Sequence, residues 1–132
     1  MRLIYSISFF AVIWCGLATM GTAHATDYNC VPLEVSVLDN RVHVQCAEPA
    51  PKTRGSYPKD TGHSIIYFAV ALSSDQAWVD RFIQTANISI NTGLPLRFGY
   101  TSGDYSGEAY GCVRANCRKP WAISLLKTAV VP

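Results

Sequence analysis

Val35, Val37, Val42 and Val44 alternate with Ser36, His43 and Gln45, and Asp39-Asn40 stands between the two runs. A two-residue turn there sets Val37 opposite Val42 and Val35 opposite Val44, so all four valines share one face of a hairpin. Residues 49–62 are rich in Pro, Gly and Lys and read as a surface loop. Residues 64–72 run apolar almost without a break, which is the pattern of a strand buried on both faces. Helical spacing follows, with Val79, Phe82, Ile83, Ala86 and Ile90 on one side. Ser73 and Gln76 resemble a capping box at its start, and Gly93 and Pro95 close it. Leu94, Leu96, Phe98 and Tyr100 then alternate with Arg97 and Gly99 as a half-buried strand. Residues 99–111 are loop-like, and residues 121–131 contain a last apolar strand.

This order predicts a mainly β domain with one helix, running strand, strand, strand, helix, strand, strand. A small OB-fold-like barrel suits it, because that fold sets its helix between the third and fourth strands.

The chain opens with Met1 and Arg2 and then an uncharged apolar stretch that ends at Ala23-His24-Ala25. One positive charge, an apolar run and small residues at alternate positions describe a signal peptide over residues 1–25, cut after Ala25. The rival is a membrane anchor, since residues 3–20 are just long enough to span a bilayer. Ser6, Ser8 and Gly16 interrupt the run and no positive flank follows, so no stable membrane insertion is expected after cleavage. Cys15 follows Trp14 rather than a small residue, which argues against a lipidated cysteine.

What remains, residues 26–132, suffices for a single domain. Eleven Lys and Arg stand against nine Asp and Glu, and Arg2 leaves with the leader. A chain so nearly neutral is not expected to bind nucleic acid. Cys30, Cys46, Cys112 and Cys117 are an even set in an exported chain, which reads as two disulfides. Of the three possible pairings, the local one is preferred: Cys30 with Cys46 across the hairpin, and Cys112 with Cys117. A zinc site is the rival, but neither pair has zinc-knuckle spacing, so no metal and no cofactor are expected.

No nucleophile with a base, phosphate loop or metalloprotease motif occurs, and the domain is read as not an enzyme. His43 sits on the polar side of the hairpin, and His63 and Ser64 point opposite ways in extended chain. A carboxylate-only hydrolase is the remaining catalytic alternative, because such pairs are set by the fold. Residues 99–111 mix Tyr, Ser and Gly as antibody loops do, with rings that offer flat contact and a backbone that adapts. Asp104, Tyr105, Tyr110 and Arg114 are the candidate binding residues, set against a plain surface loop with inward tyrosines. Arg114, Arg118 and Lys119 could receive an anion, or be solvated charge.

Three segments in order resemble the B subunits of subtilase cytotoxin and the pertussis-like typhoid toxin. Leu38-Asp39-Asn40-Arg41 leading towards Cys46 is similar to their first hairpin. Thr92-Gly93-Leu94-Pro95-Leu96-Arg97-Phe98-Gly99-Tyr100 is similar to their helix exit and fourth strand, and Cys112 with Cys117 to their late cysteine pair. The resemblance implies an OB-fold, a homopentameric ring with an enzymatic A chain, and recognition of cell-surface glycan. It departs at Ala69-Val70-Ala71, where that family has the cysteine that pairs with its hairpin, and no serine here aligns with its sugar-contacting serine. The expected function is therefore an exported, glycan-recognising, toxin B-subunit-like module, secreted or periplasmic. The alternative is a periplasmic inhibitor or immunity protein that binds a partner enzyme.

Overall fold

The structure is a computed structural model, and it describes residues 25–50 and 64–127. The expected leader, apart from Ala25, and most of the expected 49–62 loop lie outside those residues, as do His63 and 128–132.

The strands are β1 (Ala25–Cys30), β2 (Pro32–Val37), β3 (Arg41–Cys46), β4 (Tyr67–Ala71), β5 (Leu96–Thr101), β6 (Cys117–Arg118) and β7 (Pro120–Leu125). Helix α1 (Gln76–Thr92) lies between β4 and β5, and a short 3₁₀ helix spans Ser106–Tyr110. The domain is thus mainly β with one helix, as the patterning predicts. The strands form two sheets, β1-β5-β7 and β2-β3-β4-β6, so hydrogen bonding does not close one barrel. The chain itself joins the sheets at two corners, Val31 between β1 and β2 and Lys119 between β6 and β7. At the first corner the Val31 carbonyl accepts from the Ala47 amide at 2.8 Å.

The hairpin register is the expected one, with Val37 opposite Val42 and Val35 opposite Val44. Val42 and Val44 are fully buried in the inner strand β3, whereas Val37 is exposed on the edge strand β2. β4 is buried on both sides: Phe68 and Val70 enter the main core, and Ala69 packs with Cys112 and Cys117. The centre of the core is aromatic. Phe68 stacks on Phe98 at 4.2 Å between ring centres, with Tyr28, Tyr100 and Phe82 around them.

β1 carries no apolar run, and the patterning does not predict it. Its Tyr28 and Cys30 alternate inward, and pairing with β5 places Asp27 opposite Gly99 and Asn29 opposite Arg97. The helix cap is Asp75 rather than Ser73, with its carboxylate accepting from the Trp78 amide at 2.9 Å. A carboxylate at this position also meets the positive end of the helix dipole. Gln76 becomes the first helical residue and reaches forward to Asp80. The buried stripe is Val79, Phe82, Ala86 and Ser89, and Ile90 is exposed. Ser89 is tolerated there because its hydroxyl donates to the Leu94 carbonyl. Gly93 ends the helix at a left-handed φ of 70°, a conformation that glycine adopts without strain.

Candidate functional site

Both cysteine pairs are local, as preferred from the sequence. Cys30 with Cys46 and Cys112 with Cys117 each have Cα atoms 5.3 Å apart, within disulfide reach. The first pair lies in the main core, and the second pins the loop that carries the candidate binding residues.

That loop is built from its own contacts. Asp104 turns the chain after β5 by accepting from the Ser106 amide at 2.9 Å. Burial acts to raise the Asp104 carboxyl pKa, but hydrogen bonds from Ser106 and the charges of Lys119 and Arg118 outweigh it, leaving it below the ordinary value. Tyr105 lies against two cations, with the guanidinium carbons of Arg114 and Arg118 at 4.4 and 4.7 Å from its ring centre. Arg114 in turn makes a two-bond pair with Glu108, at 3.1 and 2.8 Å. The hydrogen bond with Arg114 lowers the Glu108 pKa and raises that of Arg114. Asp104, Tyr105 and Arg114 therefore sit together. Tyr110 lies apart, turned towards β4, where its hydroxyl donates to the Ala69 carbonyl at 3.1 Å. Burial pushes its pKa up to about 12.

Arg118 is neither a solvated charge nor an open anion site. It is 1% exposed and donates to the carbonyls of Ser102, Arg114 and Cys117 at 2.6 to 2.7 Å. Beside this loop, Arg41, His43, Tyr67, Gly111 and Asn116 line a cleft of about 160 Å³. Arg41 donates to the Tyr110 carbonyl at 2.9 Å, and the His43 and Tyr67 ring centres are 5.1 Å apart.

The outer face of sheet β1-β5-β7 holds the residues that sequence patterning missed. Simple alternation along β7 would turn Trp121 inward with Ile123 and Leu125. A bulge prevents this, because Gly99 pairs with Ala122 and Tyr100 with Pro120, leaving Trp121 as the extra residue. Bulges re-aim side chains, and this one throws the indole outward. The ring then lies over Gly99, where an added Cβ would meet three ring atoms at 2.7 to 2.9 Å. Trp121 remains 56% exposed, so much of the indole still faces solvent. On β1 and β5 of the same sheet, Asp27, Tyr28, Asn29 and Arg97 line an open hollow of about 530 Å³. The Nε–H of Arg97 donates to the Asn29 Oδ1 at 3.3 Å. The available signals were the lone Trp121 at a strand start and the Gly99 opposite, but neither announces a bulge.

Comparison with protein-family models, curated proteins and solved structures returns no match.

Proposed function

We propose that this protein is an exported binding module that recognises glycan, in the manner of a toxin B subunit. The observation that carries the reading is the outward indole of Trp121 seated on Gly99, on a sheet face whose register pairs Gly99 with Asp27 and Arg97 with Asn29. Sugar rings present C–H faces that stack on an exposed aromatic and hydroxyls that need planar hydrogen-bonding groups at its edge. Two local cysteine pairs in so small a domain suit an oxidising compartment, in keeping with the leader. We place recognition on this sheet face rather than on the 104–114 loop, where the ring of Tyr105 is already engaged by two arginines. The toxin-like form of the reading adds a homopentamer and an A chain as partners.

A glycan array probed with oxidised, leader-free protein tests it. Binding to defined saccharides, lost in Trp121→Ala at unchanged circular dichroism, supports the reading, and silence across the array sinks it. Mass by light scattering tests the assembly: a pentamer supports it and a clean monomer at micromolar concentration overturns it.

The inhibitor or immunity reading draws on a different feature. Among the described residues β2 pairs on one side only, and Leu33 and Val37 on it are exposed. Such an edge could add a strand from a partner enzyme.

A further inference from the structure

Resting on the glycan reading above, we infer that the outer face of β1-β5-β7 takes an uncharged pyranose with adjacent free hydroxyls, and discriminates against acidic sugars. The inference starts from Gly99. Positive φ occurs, among the described glycines, only at Gly93 and Gly111, so Gly99 is not demanded by its backbone conformation. What its missing side chain permits is the approach of the indole, which occupies the space a Cβ would fill. The bulge aims Trp121 outward and the glycine lets it lie close against the sheet, giving a broad apolar surface on an otherwise polar face.

The rim of that platform follows from register. Asp27 is the cross-strand partner of Gly99, the residue over which the indole lies, and shares its outward face. Two residues along, Asn29 and Arg97 form the next outward pair, joined by the bond between Nε of Arg97 and Oδ1 of Asn29. That bond uses Nε of Arg97 and Oδ1 of Asn29, so the Asn29 amide nitrogen and the Arg97 Nη groups remain as donors for a ligand. On the far side of Arg97 the register partner is Ser124, also exposed. No hydrogen bond or ion pair among the described residues engages the Asp27 side chain.

The chemistry of this set points to one class of ligand. Each sugar hydroxyl donates once and can accept twice, so a vicinal pair is matched by an acceptor carboxylate with amide and guanidinium donors nearby. One carboxylate and one guanidinium cancel in charge, which leaves no excess attraction for an anion. A sugar carboxylate stacked on Trp121 would instead lie beside Asp27 and meet like-charge repulsion. The hollow lined by Asp27, Asn29 and Arg97 is open, which lets the rest of a saccharide chain extend outward.

The test uses the oxidised protein without its leader and titrates it with lactose, mannotriose and cellotriose, and with sialyllactose and trigalacturonate as acidic probes. Intrinsic fluorescence and calorimetry report binding. At least one neutral probe is expected to bind and to shift tryptophan emission, and both acidic probes to bind at least tenfold more weakly. Asp27→Asn, a surface change that leaves the fold alone, should weaken the neutral probe by about tenfold, the scale of losing an anchoring contact. Trp121→Ala should abolish the shift. Stronger binding of an acidic probe, or full binding by Asp27→Asn, overturns the inference while leaving glycan recognition standing. Absence of binding by every probe at millimolar concentration overturns this assignment, and a silent glycan array beside it overturns the function too.

Discussion

Arg118 donates its Nε–H to the carbonyl of Ser102 at 2.7 Å from a position that is 1% exposed. The same guanidinium holds the Arg114 and Cys117 carbonyls, so one side chain ties the end of β5 to the small disulfide loop. Arg118→Met should lower unfolding free energy by about 3 kcal/mol, because buried carbonyls lose their donors. Arg118→Lys should recover little, since an ammonium cannot reproduce the planar fork. Urea denaturation measures both, and a neutral Arg118→Met would contradict the structural role.

Tyr105 is expected to act on stability. Tyr105→Ala removes a ring held against two guanidinium groups and should cost about 1 kcal/mol. Glycan affinity should not change. An affinity loss with unaltered thermal unfolding would return recognition to the loop.

Gly99→Ala separates the platform from the fold. Its Cβ would strike the far end of the Trp121 side chain, which is partly exposed and can swing away. Stability should fall by less than about 1 kcal/mol, while saccharide binding falls as far as in Trp121→Ala. Should Gly99→Ala bind sugar as the parent does, the close seat of the indole is irrelevant to recognition.

His43 gives the domain an acid-sensitive element. Burial, and then the Arg41 charge, hold its pKa below the ordinary histidine value, with Glu34 acting the other way. The unfolded chain therefore takes up this proton first as pH falls through about 6.5, so stability declines from there towards the depressed folded pKa. His43→Gln should flatten the fall in melting temperature between about pH 7 and 5. Equal slopes for variant and parent would remove His43 from the account.

The two cysteine pairs should differ in weight. Sequence separations of 16 and 5 correspond, on the chain-entropy model, to about 3 and about 2 kcal/mol. Replacing Cys30 and Cys46 by alanine should cost more still, because both are buried in the main core. Chemical denaturation of the two double variants gives the comparison, and peptide mapping without reductant should join each pair. A larger loss from the 112 and 117 replacement would reverse the order.

Features that rest on neighbours in the chain were legible in the sequence. The valine alternation around Asp39-Asn40 determined the hairpin register, and with it the approach of Cys30 to Cys46. The apolar run before the helix determined a strand covered on both sides, and Gly93 determined where the helix stops. In each case periodicity or a backbone requirement acts within a few residues, so local order suffices. β1 was not legible, because Ala-Thr-Asp-Tyr-Asn-Cys becomes a strand only when β5 supplies its hydrogen bonds. Nor was the inward course of Arg118, whose acceptors lie on the end of β5 and the disulfide loop. The outward indole of Trp121 was decided by the tertiary structure alone. One extra residue against β5 reverses the face that alternation assigns, and that register is set by pairing between strands about twenty residues apart in the chain.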